Sequence, residues 1–386
     1  MKSLKETIQD IHGELCHISD YLYHHPELGD QEYQSMQLLT KLLEEHQFEV
    51  ETDVAGRNTA FKATFDSGKP GPTIAYLAEY DALPGVGHGC GHNIIGTMSV
   101  GAGIILSTQV AEAGGSVVVL GTPAEETNGA KVPMSEQGFF DSIDVAMMVH
   151  PGDQSYKSGE ALAMDAIQFS YFGKTSHAAA APEKGINALD SVIQLFNGIN
   201  ALREHLPTDV RIHGIIADGG EAANVVPDKA VAQFYVRAKE RKELDAVVEK
   251  VQHIAEGAAL MTGARLEVSN YELSYDNMIT NQALSKAFTK HLENITAQPV
   301  FPAKEGYGSI DMGNVSHVVP AIHPYIGFDM LGLTAHTQAF ADMTITDKGH
   351  QMIADGALAL AQTGFEVITD AKLLVEIQQE FRKTKC

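Results

Sequence analysis

The chain has 386 residues, of which 44% are hydrophobic and 20% are charged, a balance typical of a globular protein long enough for two domains. Its formal net charge of −23 disfavours binding to nucleic acid or to an anionic membrane surface, because both are themselves negative. No uninterrupted apolar run approaches the roughly 20 residues of a membrane span, and three cysteines are too few for a disulfide framework, so the cytoplasm is the expected compartment.

The first part of the chain alternates between predicted helices and predicted strands. Apolar residues at helical spacing from Leu4 to Leu22 predict a long first helix, and a second helix is expected over residues 32–46. A third helix is expected over 94–110, between the first two of three buried strands. The strands are expected over Thr73–Ala78, Ser116–Gly121 and Ile143–Val149. Short buried strands that alternate with helices predict an α/β fold with a mixed, largely parallel sheet flanked by helices.

The pattern changes between residues 166 and 276, where the expected order is strand, helix, strand, strand, helix, strand. This βαββαβ order is the signature of a ferredoxin-like domain, and a length of about 110 residues suits a separate domain. We therefore predict a catalytic metal-binding domain over 1–165 plus 277–386 and an inserted domain over 166–276. After the insert, a long helix is expected from Asp347 to Val367.

Four short polar segments carry residue types that bind metals or transfer protons. In the segment 87–93, Cys90 and His92 lie two residues apart among glycines, which leave room for a bend around a metal ion. Taken alone, each segment is more typical of an ordinary loop than of a functional site. The other three segments contain the pair Glu125 and Glu126, His150 at the end of the third strand, and His336 near the end of the chain.

The positions of these segments make them more informative together than alone. Ligands of open parallel sheets bind at the carboxyl ends of the strands, where loops converge. Most of these residues follow a strand or the turn after one, and as a set they could hold one or two divalent ions. The adjacent glutamates suit a division of roles, in which one binds metal and the other accepts a proton from water. Cys90 is also a rival nucleophile, but a metal-bound thiolate would be a poor one.

Six segments, in the same order along most of the chain, resemble the aminoacylase/carboxypeptidase-type metallopeptidases (peptidase family M-twenty). They read GHGCGHN, TPAEE, MMVHPG, GKTSHAAAAPEKGINALDSV, NVVPD and GSIDMGNVS. More narrowly, they are similar to the amidohydrolase branch with cysteine at the metal site, which contains auxin-conjugate hydrolases, bacterial N-acyl-amino-acid hydrolases, aminobenzoyl-glutamate hydrolase and β-alanyl-lysine dipeptidase. The resemblance implies a phosphorylase/hydrolase-like catalytic domain whose ferredoxin-like insert is both a lid and the surface of a homodimer.

The same resemblance, carried over residue by residue, implies a role for each candidate. Zinc is the expected metal, with manganese or cobalt as alternatives. The implied metal ligands are Cys90, His92, Glu126, His150 and His336. Glu125 matches the general base, and His177 in the lid matches a histidine that reaches a neighbouring subunit's site and polarises the substrate carbonyl. Asn224 and Arg237 match lid residues that hold the substrate's carbonyl and carboxylate.

Three positions leave alternatives open. Other branches carry a metal-binding His-x-Asp where this chain has Glu79-Tyr80-Asp81, so Asp81 either supports a ligand or is an ordinary turn residue. Many relatives have Gly-Ser-Thr-Asp where this chain has Gly308-Ser309-Ile310-Asp311, which leaves the role of Asp311 open. Arg237 could be a strand residue paired with an acid such as Glu240 instead of a substrate ligand.

The expected activity is metal-dependent hydrolysis of the amide bond of a small peptide-like or N-acyl-amino-acid substrate that bears a free carboxylate. The enzyme could be a dipeptidase or a broader N-acyl-amino-acid hydrolase. A non-catalytic binding or scaffolding protein on the same fold is the alternative from a different class. Retention of every implied ligand together with Glu125 disfavours that alternative, because a protein without catalysis would be free to lose at least one of them.

Overall fold

The structure is a computed structural model that describes residues 2–304, 306 and 308–384. The described residues form two compact units, each with its own sheet. One comprises residues within 2–160, 278–306 and 311–384, and the other comprises 161–277 together with 308–310.

Helices and strands are numbered in chain order. The helices are α1 (Leu4–His24), α2 (Tyr33–Glu45), α3 (His92–Ala113), α4 (Glu125–Asn128), α5 (Lys131–Glu136), α6 (Ala188–Leu202), α7 (Arg241–Thr262), α8 (Gln282–Thr296), α9 (Met312–Ser316), α10 (Gln338–Met343), α11 (Asp347–Thr369) and α12 (Ala371–Thr384). The strands are β1 (Glu49–Thr52), β2 (Phe61–Asp66), β3 (Thr73–Ala78), β4 (Ser116–Gly121), β5 (Val145–Met147), β6 (His150–Gly152), β7 (Ala163–Phe172), β8 (Arg211–Asp218), β9 (Lys229–Ala238), β10 (Arg265–Asn270), β11 (Ala321–Ile322) and β12 (Tyr325–Gly327).

The first unit is built on a six-stranded mixed sheet in the order β1-β2-β4-β3-β5-β11. Strands β4, β3, β5 and β11 are parallel, whereas β1 and β2 add an antiparallel edge. The predicted α/β class is therefore confirmed. The strand expected over 143–149 is shorter than expected, because its apolar run changes partner: β5 pairs with β3 only through Met147, and His150 begins β6, which pairs with β12 in a separate sheet.

The core of the first unit surrounds α3. This helix contacts α1, α11 and the strands β3 and β4, and it is buried around its whole circumference near its start. A Cβ atom at Gly103 would lie 2.4 Å from a methyl group of Val119, so glycine permits the close approach of helix and sheet. By length and composition alone α3 could cross a membrane, but 83% of its most apolar window is buried inside the structure. It is a core helix.

The second unit has the element order predicted for the insert. Strands β7, β8, β9 and β10 form an antiparallel sheet in the order β10-β7-β9-β8, and α6 and α7 pack on it. Phe169 and Phe234 lie in the core between the sheet and the helices. At the start of α7, the guanidinium of Arg241 donates two hydrogen bonds, of 2.9 and 2.8 Å, to the Asp165 carboxylate. Strand β8 is an edge of this sheet.

Candidate active site

The structure brings the five predicted metal ligands together at the carboxyl ends of the parallel strands. Their donor atoms form overlapping groups, and within each group every donor atom lies within 4.8 Å of the others. The groups are Cys90 with His92 and His150, Cys90 with Glu126 and His336, and His92 with Glu125 and Glu126. Cys90, His92 and Glu126 each belong to two of the three groups, so the donors form one continuous cluster.

Two left-handed residues shape the loops that carry these ligands. Gly91 has φ of +81° and precedes α3, so Cys90 lies just before the helix and His92 is its first residue. A Cβ atom at Gly91 would lie 2.5 Å from Cγ of Pro151, so a larger residue does not fit. His336 has φ of +65°, and its N–H donates a 2.9 Å hydrogen bond to the carbonyl of Gly89. That bond connects His336, a predicted ligand from late in the chain, to the loop that carries Cys90.

Asp81 forms hydrogen bonds with two of the predicted ligands. Its Oδ1 accepts a 2.9 Å hydrogen bond from Nδ1 of His92, and its Oδ2 accepts a 3.0 Å hydrogen bond from the backbone N–H of Glu126. The contact with Asp81 makes Nδ1 the protonated nitrogen of His92 and leaves Nε2 as the atom able to bind a metal. Asp81 therefore contacts two of the predicted ligands, which favours the supporting role over that of an ordinary turn residue.

The donor atoms fit a divalent ion of the zinc type. Nε2 of His92 has no hydrogen-bond partner among the described residues, although the side chain is only 1% exposed. The Cys90 sulfur lies 3.4 Å from Nε2 of His150, and Nε2 of His336 lies 3.0 Å from Oε1 of Glu126. Thiolate, imidazole and carboxylate donors at these separations are the set that zinc and similar borderline metals prefer.

The two adjacent glutamates have opposite pKa shifts. Burial, reinforced by the charges of Glu79 and Asp311, raises the pKa of Glu125 well above its usual range. Burial opposes ionisation of Glu126 as well, but a hydrogen bond with His336 and the charge of His92 lower its pKa overall. A carboxyl group with a raised pKa is the better proton acceptor, and one with a lowered pKa is the better anionic ligand. The shifts therefore agree with the roles expected for this pair.

A buried ionic network lies beside the glutamates. Nζ of Lys131 is 2.6 Å from Oε1 of Glu79 and 2.7 Å from Oδ1 of Asp311, and all three side chains are at most 2% exposed. Oδ2 of Asp311 also accepts a 3.3 Å hydrogen bond from the backbone N–H of Lys131. Asp311 is thus an internal partner of Lys131, which answers the question that the sequence left open for it.

The predicted lid residues lie in the second unit. His177 is exposed, and its Nδ1 accepts hydrogen bonds from the N–H groups of Ala179 and Ala180 at 3.2 and 3.1 Å. The next residue, Ala178, connects this loop to Asn224, because its N–H donates a 3.0 Å hydrogen bond to the backbone carbonyl of Asn224. On β9, Nη1 of Arg237 donates a 2.7 Å hydrogen bond to Oγ of Ser309.

Comparison with known proteins identifies the family. The chain is 34% identical over 401 residues to the Xaa-Arg dipeptidase of Mus musculus, in a match that covers 98% of this chain and 91% of that one. It is 30% identical over 441 residues to a subunit of the p-aminobenzoyl-glutamate hydrolase of Escherichia coli (strain K12), covering 95% and 91%. The chain belongs to the M20 peptidase family. Its members identify it as a hydrolase that acts on amide bonds.

Domain and structural comparisons agree with the M20 fold. The peptidase dimerisation domain family matches residues 166–261. The crystal structure of a dinuclear metal-binding M20 peptidase from Bacillus subtilis superposes with a TM-score of 0.69 at 22% identity, and the match covers 93% of this chain and 99% of that one. The fold resemblance inferred from the sequence motifs is thus confirmed.

Sequence reasoning assigned no role to Glu79 or Lys131, two residues that the structure places beside the M20 site. Glu79 directly follows the buried strand β3, as the glutamate pair follows β4, so the strand-end rule could have marked it. Lys131 begins a short helix and has no sequence signal, because burial of a lysine depends on partners that are distant along the chain.

Proposed function

We propose that this M20 enzyme is a metal-dependent dipeptidase or aminoacylase that hydrolyses the amide bond beside a free carboxylate. The observation that carries the proposal is the convergence of sulfur and imidazole donors on the adjacent carboxyl groups of Glu125 and Glu126. One carboxyl group suited to proton transfer and one suited to metal binding are what hydrolysis by activated water requires.

One or two divalent ions would be held by the five convergent donors, with zinc favoured and manganese or cobalt as alternatives. The ligands would be Cys90, His92, Glu126, His150 and His336. Such ions supply Lewis-acid polarisation of the scissile carbonyl and activation of water. Asp81 would keep His92 in the tautomer that presents Nε2, and Cys90 would contribute its sulfur to the same cluster of donors.

Glu125 would carry the proton transfers. Its carboxylate, which lies beside the donor cluster, accepts a proton from the attacking water and then delivers that proton to the departing amine nitrogen. The new carbon–oxygen bond forms as the carbonyl becomes tetrahedral, and the carbon–nitrogen bond then breaks. No acyl-enzyme is required, so Cys90 needs no role as a nucleophile.

The lid would supply recognition and a group for the oxyanion. Arg237 presents a planar guanidinium suited to a carboxylate, and Asn224 would hold the substrate carbonyl. His177 of the partner subunit would stabilise the oxyanion. A homodimer is supported by the match to a dimerisation domain and by β8, an edge strand on which Ile215 and Ile216 are 61% and 46% exposed. Such an edge is suited to pairing with a second copy.

The substrate class is tested by a hydrolysis screen. The panel contains dipeptides with arginine, lysine and acidic residues at the C-terminus, together with N-acetyl and aromatic N-acyl amino acids. The relatives named above favour dipeptides and aminobenzoyl-glutamate-like amides. Metal-stripped protein, before and after reconstitution with zinc, manganese or cobalt, is the control. Absence of turnover with every metal and substrate would favour a non-catalytic binding protein instead.

The roles of the glutamates are tested by matched substitutions. Glu125→Gln should lower kcat by about 10²–10⁴-fold while metal content is retained, because an amide cannot accept the proton. Glu126→Gln should instead lower the amount of metal that survives dialysis against a chelator. Metal analysis and kcat measured on the same preparations distinguish the two, and reversed effects would mean that the roles are exchanged.

The contribution of the partner subunit is tested by mixing inactive variants. His177→Ala and Glu125→Gln homodimers should each have little activity. After subunit exchange, one site of each heterodimer regains both groups, so activity should return to a fraction of that of the wild type. A fully active monomer, or no recovery after exchange has been verified by mass spectrometry, would contradict the proposal.

The role of Arg237 is tested with the best substrate and its C-terminal amide. Loss of a bidentate carboxylate contact that leaves a partly buried charge costs about 2–5 kcal/mol, which corresponds to roughly 30- to several-thousand-fold in kcat/KM. Arg237→Lys should lose most of the preference for the free acid over the amide, because an ammonium lacks the planar pair of donors. Equal turnover of acid and amide would favour a purely structural role for Arg237.

A further inference from the structure

Two buried polar atoms at the candidate site, one from Glu79 and one from His92, lie close together without being hydrogen-bonded. Oε2 of Glu79 and Nε2 of His92 lie 3.6 Å apart, which is too long for a hydrogen bond. Neither atom has a hydrogen-bond partner among the described residues, and the two side chains are only 2% and 1% exposed. A buried carboxylate oxygen and a buried imidazole nitrogen are both costly to leave unpaired, so the arrangement indicates a shared partner between them.

The other polar atoms of both side chains are already engaged. Oε1 of Glu79 accepts a 2.6 Å hydrogen bond from Lys131, and Nδ1 of His92 donates a 2.9 Å hydrogen bond to Asp81. These contacts fix the direction of both unpaired atoms. Two ligands bound to one tetrahedral ion at about 2.1 Å are separated by about 3.4 Å, close to the 3.6 Å observed.

We propose that Glu79 is a further metal ligand, which supplies a carboxylate oxygen to the ion held by His92. The proposal rests on the metal dependence proposed above and adds a donor to that site. Lys131 would hold Glu79 in place through Oε1 and offset part of the negative charge of the neighbouring carboxylates. Glu79 therefore belongs to the metal centre, whereas Asp311, on the other side of Lys131, does not.

The test compares Glu79→Gln with Asp311→Asn. Both substitutions remove a carboxylate from Lys131. Both oxygens of Asp311 already accept hydrogen bonds from that lysine, so Asp311→Asn is the control for loss of the ion pair alone. Metal-stripped full-length proteins are titrated with Zn²⁺ against a chromophoric chelator to obtain the affinity and stoichiometry. A parallel titration with Co²⁺ follows the visible absorption bands, which report the coordination number. Circular dichroism establishes that each variant is folded.

We expect Glu79→Gln to weaken one ion at least about tenfold, to leave any second ion unchanged and to alter the Co²⁺ bands. Asp311→Asn should keep both affinities within about threefold. If Glu79→Gln does not fold, Glu79→Asp, which withdraws the oxygen by one methylene, should show the same selective loss. Equal losses in both variants, or an unchanged Glu79→Gln, would overturn the inference. Failure of the wild type to bind metal would instead overturn the proposed function and this inference with it.

Discussion

Glu32 offers a test of how the fold holds the loop that carries Glu125. Its side chain is fully buried, and Oε1 accepts a 2.9 Å hydrogen bond from the N–H of Ala124, the residue before Glu125. Oε2 accepts a 2.8 Å hydrogen bond from the hydroxyl of Thr59. Ala124 has φ of +62°, a left-handed conformation that a non-glycine residue adopts at a cost. Glu32 thus fixes a strained residue at the start of α4.

Burial, with the nearby charge of Asp81, raises the pKa of Glu32 from 4.5 to about 7. The folded protein therefore binds more protons than the unfolded chain between these values, so this carboxyl contributes stability at low pH that is lost as pH rises through about 7. The full effect is roughly 3 kcal/mol, at 1.36 kcal/mol for each tenfold change in proton affinity. About 2 kcal/mol of it falls between about pH 5.5 and about pH 8, above the isoelectric point of about 5.0.

The perturbation is Glu32→Gln, which cannot titrate and still offers an oxygen to the Ala124 N–H and an NH₂ group to Thr59. The free energy of unfolding of metal-stripped wild type and variant is measured by urea denaturation across this pH range. Circular dichroism is the probe, because the chain has no tryptophan. We expect the stability of the wild type relative to the variant to fall by about 2 kcal/mol from about pH 5.5 to about pH 8. A difference that stays flat, or rises with pH, would refute the reasoning.

Three further substitutions test packing and pairing by urea denaturation. Gly91→Ala should destabilise by about 2–4 kcal/mol, because it adds a Cβ atom against Pro151 at a left-handed position; a loss under about 0.5 kcal/mol would mean that the loop adapts. Phe234→Ala should cost about 3–5 kcal/mol by opening a cavity in the core of the second unit, and an unchanged midpoint would contradict the packing described. Arg241→Gln should lower the free energy of unfolding by about 1–3 kcal/mol, because Asp165 loses a bidentate partner. An equal loss of stability in the wild type on addition of high salt would contradict the shielding of this pair from solvent.

Periodicity and strand-end position predicted the parts of this protein that are determined locally. Strands β3 and β4 match their expected bounds, and the first helix begins at the expected residue, because their apolar patterns match their burial. The structure brings Cys90 and Glu126 together as expected, because parallel strands direct their following loops to one edge. The strand ending at Val149 was mispredicted, since an apolar run does not reveal where the chain changes its pairing partner.

The supporting residues were harder to foresee, because their roles depend on pairings between distant parts of the chain. Lys131 contacts Asp311, which is 180 residues away, and Glu32 contacts Ala124, which is 92 residues away. Contacts between residues so far apart in sequence do not produce a periodic pattern that could predict them. Glu79 and Asp81 lie within three residues of the end of β3, and the sequence left Asp81 open between a supporting role and that of a turn residue. Only the three-dimensional contacts separate the two cases.

The second unit is not a single continuous piece of chain, and this matters for protein engineering. Residues 308–310 belong to it although they are far from 161–277 in sequence, and they contact it through the Arg237–Ser309 hydrogen bond and through a 2.9 Å bond from the Leu162 N–H to the Gly308 carbonyl. A chimaera that replaces only residues 161–277 would keep residues 308–310 of the original protein, and these would then contact strands from the other parent. An insert taken from a relative should therefore be transplanted as two segments, so that Arg237 and Ser309 come from the same parent.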